Sequence, residues 1–225
     1  MRVNYDAYCM VQLVRLYYEQ RPDKLTVLHV GGYDGTWDVH LTETLEGIPV
    51  EVHSLEPHPV NYGLMKTTFE GRPNLHALNY AVSSIPGPCS LYGSDDKKSQ
   101  SSSFVKGFVE GRGRITAEAL TLSNLYRTLG LQKVHLLRLN CEGSEFNIFD
   151  GKGDLSFLKH TVMINLCLHG KIPSMITREM NHRKLEITEL IQSFGFRLAR
   201  GLSPEFLPVV KDHAWQVYIQ KEAVK

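Results

Sequence analysis

Short aliphatic runs recur along the chain, and glycine or proline closes most of them. Leu25-Thr26-Val27-Leu28-His29-Val30 is β-branched and aliphatic, which suits a buried strand. It stops at Gly31-Gly32-Tyr33-Asp34-Gly35, where three glycines in five residues permit a sharp turn and close approach by a ligand. Trp37, Leu41, Leu45 and Ile48 then fall three or four apart, which predicts one face of a helix. Val50 to Leu55 alternates and ends at Glu56-Pro57, predicting a second strand with an acid at its tip. Strand, glycine turn, helix and strand in this order open a nucleotide-binding βαβ unit. In such a unit the helix N-terminus faces the ligand, and the acid accepts hydrogen bonds from ribose hydroxyls.

The same patterning continues on both sides. Tyr8, Val11, Leu13, Val14, Tyr17 and Tyr18 have helical spacing, so a helix is expected before the first strand; its aromatic stripe serves either the core or a lid over the cofactor edge. A helix after Pro57-His58-Pro59 has Tyr62, Leu64, Met65 and Phe69 for its inner face, and Leu75 to Tyr80 reads as a third strand. Ala81 and Val82 follow at the carboxyl end of that strand, and Cys89 to Tyr92 reads as a hairpin-like strand. Residues 93–114 are the most polar stretch, either a surface insertion or a mobile lid over the substrate. Ile115 to Leu120 is strand-like, and Thr121 begins a helix that Gly130 ends. Val134 to Leu139 and Thr161 to Leu168 are the most apolar runs, as expected of central parallel strands. A helix over 183–194, with Leu185, Ile187, Leu190, Ile191 and Phe194 inward, precedes two final strands joined through Pro204 and Pro208. Elements alternate without an internal repeat or linker. The expected fold is α/β: a single Rossmann-like domain over residues 1–225, with a mostly parallel sheet of about seven strands and helices on both faces.

The glycine turn narrows the ligand. A dinucleotide fingerprint starting at Gly31 would need glycines where Tyr33 and Thr36 stand, and a P-loop would need Gly-Lys-Ser/Thr. A turn with few amides for phosphate, followed by a ribose acid, suits a phosphate-free nucleoside cofactor such as S-adenosylmethionine better. Composition adds boundaries. The 225 residues are 42% hydrophobic, enough for a sizeable core, and 25 basic against 24 acidic residues leave a net charge of +1. That balance supplies no field for nucleic acid or an anionic membrane. Cys9, Cys89, Cys141 and Cys167 form no CxxC pair and no zinc-ligand spacing, which fits free thiols in a reducing compartment. No apolar run approaches the ~20 residues of a membrane span and no leader pattern is read, so a soluble cytoplasmic protein is expected.

Several segments, taken together and in order, resemble the motifs of FkbM-type methyltransferases. Val27 to Gly35 is similar to their D-x-G-A-N-x-G segment, and Ser54-Leu55-Glu56-Pro57-His58-Pro59 to F-E-P-x-P. Asn79-Tyr80-Ala81-Val82-Ser83 is similar to N-x-A-V-S, Ser101-Ser102-Ser103 to the serine pair that follows it, and Thr121-Leu122 to T-L-D. Leu137 to Glu145 is similar to L-K-I-D-V-E-G-x-E. The resemblance implies a class I methyltransferase fold and S-adenosylmethionine-dependent O-methylation of a small molecule such as a sugar or natural product. It places Gly31, Gly32, Tyr33 and Gly35 against the methionine and ribose portions, Glu56 on the ribose hydroxyls, and Ala81 with Val82 beside adenine. His29 falls near the methionine amino group and Asn140 beside the transferred methyl.

The departures from those motifs remove charge. His29 stands where the family has an acid, Asn140 where it has Asp, Cys167 where it has an acid, and Arg138 where it has Lys. The remaining candidates for a catalytic base are Glu142, Glu145 and His169. Glu142 and Glu145 are three apart, so both can point to one rim from a first helical turn, or simply complement a helix N-terminus. His169 ends a buried strand, as a base or substrate partner or as a surface histidine. Oxygen ligands from Glu142, Glu145 and Asn140 match no metal spacing, and no metal is expected. Arg178, His182 and Arg183 are candidates for the acceptor pocket or for a solvated helix start. The alternative reading is a non-catalytic S-adenosylmethionine-binding protein with a degenerate site. A nicotinamide oxidoreductase is disfavoured by Tyr33 and Thr36, and an RNA methyltransferase by the absence of a basic stripe. The acceptor and the oligomeric state have no readable code.

Overall fold

The computed structural model describes residues 5–93, 113–169, 177–200 and 213–223. Six helices are described, α1 (Tyr5–Gln20), α2 (Thr36–Thr44), α3 (Pro59–Thr68), α4 (Leu122–Thr128), α5 (Glu145–Ile148) and α6 (Thr177–Ser193). Ten strands are described with them, alternating with the helices except where β3 to β6 and β9 to β10 follow one another directly: β1 (Leu25–Val30), β2 (Val50–Leu55), β3 (Leu75–Leu78), β4 (Ala81–Val82), β5 (Gly87–Gly93), β6 (Gly113–Leu120), β7 (Val134–Leu139), β8 (Thr161–His169), β9 (Phe196–Arg200) and β10 (His213–Gln220). Seven of the strands form one sheet in the order β3-β2-β1-β7-β8-β10-β9. Its β3, β2, β1, β7 and β8 are parallel, while β10 runs antiparallel to both β8 and β9. Every residue of β1, β7 and β8 is buried, as the continuous apolar runs require of central strands covered on both faces.

Side-chain alternation splits the core into two layers. Leu25, Val27, Val52 and Leu136 face Cys9, Leu13 and Leu16 of α1, Leu41 of α2 and Met65 of α3. Leu28, Val30, Leu137, Leu139, Ile164 and Leu166 face Leu125 of α4, Phe146 of α5 and Ile187 and Ile191 of α6. The chain moves outward from β1 to β3 and then returns to β7 on the other side of β1. The tips of β1 and β7 are therefore the topological switch point, where sheets of this type bind ligands.

Four expectations change. Leu75 to Tyr80 is not one strand: β3 ends at Leu78, and Ala81–Val82 joins a separate three-stranded sheet, β4-β6-β5. The inward face of α1 is Cys9, Met10, Leu13 and Leu16, whereas Val11 and Tyr18 are exposed. Tyr17 and Tyr18 meet edge to face, so part of the aromatic stripe packs on itself. Leu64 of α3 is exposed, because the helix buries Asn61 and Met65 instead. Glu142 precedes α5 and is not on its first turn. The expected lid over 93–114, the serines at 101–103 and the prolines at 204 and 208 lie almost wholly outside the described residues. No described helix is long and apolar enough to cross a membrane.

Candidate functional site

The tip of β1 is tied to both neighbouring strands. Gly31 and Gly32 donate their amides to the Leu55 carbonyl at 3.0 and 2.9 Å, and the Asn140 amide donates to Val30 at 3.0 Å. The glycines are required by this packing. A Cβ on Gly31, which sits at φ 88°, would lie 2.0 Å from the Asn140 carbonyl oxygen; one on Gly32 would lie 2.1 Å from Ser54 Oγ. Gly35 is the left-handed N-cap of α2, with Phe69 directly against it. The expectation that these glycines clear space for a ligand is thus joined by a second cause, close approach of strands and helices. Tyr33 occupies the left-handed region at φ 54° without being glycine. Strain of this kind costs about 1–3 kcal/mol and collects at functional sites.

That strain aims the Tyr33 amide at Glu56 Oε2, 3.0 Å away, while the His58 amide donates to Oε1 at 2.9 Å. Glu56 is only 6% exposed. Burial pushes its carboxyl up to about 7, against the downward pull of the His58 and Tyr33 amides and the Asn61 side chain. A carboxylate accepts about four hydrogen bonds, so these three donors leave capacity for a ligand hydroxyl. A buried acceptor at the second strand tip, beside the N-terminus of α2, fits the ribose of an adenosyl cofactor. Ala81 and Val82 are buried, and Val82 packs in the core layer with Leu122 and Leu125. Asn140 is half-buried at the tip of β7.

His29 does not stand open at the switch point. It is 3% exposed, its Nδ1 lies 2.8 Å from Asp38 Oδ1, and its ring meets Trp37 edge to face. Ser54 Oγ donates to the other Asp38 oxygen at 2.8 Å. His29 is therefore one half of a buried pair whose acid, Asp38, comes from α2 and was not revealed by the strand motif. Ser54, His29, Arg138 and Asn165 are neighbours in register across β2, β1, β7 and β8. Arg138 lies over the rings of Trp37 and Trp215, at 4.1 and 4.6 Å from their centroids, and pairs with Asp6 of α1. The departure to arginine is thereby explained: a planar guanidinium stacks between two indoles as an ammonium does not.

At the tips of β7 and β8 the structure brings all three candidate bases together. His169 Nδ1 is 3.0 Å from Glu145 Oε1, and its Nε2 is 3.4 Å from Glu142 Oε1. Glu145 is fully buried and also accepts from the Cys141 and Gly143 amides at 2.7 and 2.8 Å. The glutamates converge because Glu142 is left-handed, at φ 50°, and helical spacing plays no part. Burial alone would lower the His169 pKa, but the Glu145 charge and the hydrogen bonds that the ring makes with Cys167, Glu142 and Glu145 reverse this and raise it. Burial raises the Cys141 and Cys167 thiols, so both stay protonated. All four cysteines are free.

Sequence reasoning missed Lys184. It lies on α6, is 1% exposed, and has its pKa lowered by burial while Cys167 and Glu145 act in the opposite sense. Its only sequence signal was a polar residue among the inward positions of a helix. His182 is exposed and pairs with Glu186, as does the less exposed Arg183; the Arg178 side chain lies outside the described residues.

Comparison with solved structures shows the same fold at low identity. Fibrillarin in a complex with Nop5p is 12% identical, with a TM-score of 0.51 over 88% of this chain and 74% of that one. The Methanococcus jannaschii fibrillarin pre-rRNA processing protein is 13% identical, with a TM-score of 0.50 over 88% and 67%. Methyltransferase FkbM from Methylobacillus flagellatus KT is 11% identical, with a TM-score of 0.51 over 88% of this chain but only 44% of that one. Sequence comparison with curated proteins gives no match. The Methyltransferase FkbM domain, in contrast, matches residues 29–198, from the last turn-facing residues of β1 to β9. With the parallel sheet, the switch point and the buried acid at its second strand, this match shows that the chain belongs to the FkbM methyltransferase domain family and uses S-adenosylmethionine as its cofactor.

Proposed function

We propose that the protein is an O-methyltransferase that modifies a hydroxyl of a small molecule such as a sugar or natural product. The Glu145–His169–Glu142 chain of contacts carries this reading. Bound S-adenosylmethionine would supply an electrophilic methyl group. Gly31, Gly32, Tyr33 and Gly35 would line its methionine and ribose portions, with Glu56 on the ribose hydroxyls, Ala81 and Val82 on the adenine side, and Asn140 nearest the methyl group. The expected place of His29 at the amino group is given up, since its ring is buried against Trp37 and bound to Asp38.

The chain's own residues then handle the acceptor proton. Glu145, held by two backbone amides, fixes the His169 ring and favours its protonated form. Glu145 is accordingly a positioning residue. Glu142 has a 24% exposed side chain beside His169 Nε2, and its carboxylate takes the hydroxyl proton as the acceptor oxygen attacks the methyl, while the imidazolium stabilises the negative charge developing on that oxygen. Such general-base assistance is worth ~10²–10⁴-fold in rate. A net charge of +1 supports a small acceptor over a polyanion such as RNA, and four free thiols fit a reducing, cytoplasmic setting.

Turnover tests this with a panel of sugars, polyols and phenolic hydroxyls, reading release of the demethylated cofactor. Glu142→Gln and His169→Ala should each lower kcat by ~10²–10⁴-fold and change cofactor affinity little. Equal losses in turnover and affinity would remove both residues from proton handling. The second reading, a cofactor-binding protein without catalysis, is favoured by Cys167 and Asn140 standing where acids are expected. Tight cofactor binding with no turnover on any acceptor would establish it.

A further inference from the structure

A second cluster of ligating side chains lies on the edge of the sheet, away from the methyl-transfer site. Glu51 and His53 are two apart on β2 and share one face, and His76 of the edge strand β3 is directly in register with His53. The imidazoles stack at 4.7 Å between centroids, 19° from parallel. Glu51 Oε1 is 3.1 Å from His76 Nε2. One ligating atom from each residue can be chosen so that all three lie within 4.8 Å of one another. His53 is 8% exposed, and neither of its ring nitrogens has a partner among the described residues. Leaving buried polar atoms without partners costs about 1–3 kcal/mol, so such groups call for a ligand or water.

We infer that Glu51, His53 and His76 form a binding site for one divalent transition-metal ion of the zinc class. Two imidazoles and one carboxylate suit zinc, cobalt or nickel, whereas magnesium and calcium prefer oxygen donors throughout. Tetrahedral zinc sets its ligands at ~2.0–2.2 Å from the metal, so small side-chain rotations must open the ring stack and draw the three groups inward. Glu51 and His53 border a cavity of about 640 Å³, which gives an ion a route in and room for a fourth, water ligand. Lys24 is the resident counter-ion of Glu51 and must yield; its side chain is 54% exposed, so the pair is weak. Glu51 is five residues before Glu56 on the same stretch of chain, roughly 16 Å at strand rise, so the ion would rivet β3 to β2 without touching the acceptor.

Titration of chelator-treated protein with Co²⁺ and Zn²⁺ tests the assignment. Wild type should take up one equivalent, with visible cobalt bands of low coordination number and a Tm that rises with zinc. His76→Ala and Glu51→Gln, both at partly exposed positions, should each weaken binding by at least ~10-fold and abolish the Tm rise. Lys24→Met should tighten binding by freeing the carboxylate. Wild-type affinity in either ligand variant, no tightening in Lys24→Met, or a thiolate-to-cobalt charge-transfer band that places the ion at Cys167 would overturn the site.

Discussion

Glu56 shows how burial sets chemistry at one residue. Its carboxyl titrates at about 7 in the folded chain against 4.5 for a free side chain, because burial outweighs three hydrogen bonds to it. The folded state thus binds more protons than the unfolded state between those values. Its contribution to stability is full below 4.5 and is lost as pH rises through 7. Relative to Glu56→Gln, wild type should lose up to about 3 kcal/mol from about pH 5 to about pH 8, read from urea midpoints across the range. Parallel pH profiles for the two proteins would contradict this. Glu56 was legible in the sequence because a strand-end acid before proline is a local pattern. Asp38 and Lys184 were not, since each is a polar residue on a helix whose partner comes from another element. The convergence of Glu142 and Glu145 was legible, but its cause was misread, because a left-handed residue leaves no mark in side-chain spacing.

At the scale of elements, β1, its turn and α2 act as one unit whose geometry depends on close backbone approach. Gly31 and Gly47 separate the two reasons for glycine. Both have positive φ, but a Cβ at Gly31 meets the Asn140 carbonyl at 2.0 Å and one at Gly47 meets nothing within 4 Å. Gly47→Ala should therefore cost about 1–2 kcal/mol, the left-handed penalty alone. Gly31→Ala adds a steric clash and should cost about 2–5 kcal/mol in urea unfolding. Equal costs would show that strand approach is not what the turn requires. Strands β1, β7 and β8 were legible because buried parallel strands are mostly continuous apolar runs, and β2 because Val50 to Leu55 alternates. The β4-β6-β5 sheet was only half legible: Cys89 to Tyr92 and Ile115 to Leu120 read as strands, but their pairing joins residues far apart in sequence. The inward face of α1 was misjudged because large aromatics outweighed Cys9 and Met10 in the pattern, although Tyr18 is on the surface.

For the whole molecule, strand order decides where chemistry happens. The return of the chain from β3 to β7 makes the tips of β1 and β7 the switch point, and the polar groups proposed for cofactor binding and proton handling lie at its borders. Glu56 borders it from β2, and Glu145–His169–Glu142 from β7 and β8. The Arg138 row lies beneath, where Trp37, Trp215 and Asp6 tie α1 and α2 to the sheet. Alternation of strands and helices made the fold class legible, whereas which tips adjoin depends on the crossover and not on any local pattern. The most direct test is calorimetric titration of wild type and Glu56→Ala with S-adenosylmethionine and its demethylated product. One site per chain that both ligands share, weakened at least ~10-fold in Glu56→Ala, is the predicted result. No heat of binding in wild type, or unaltered affinity in a folded Glu56→Ala, would contradict a cofactor held at the tips of β1 and β2.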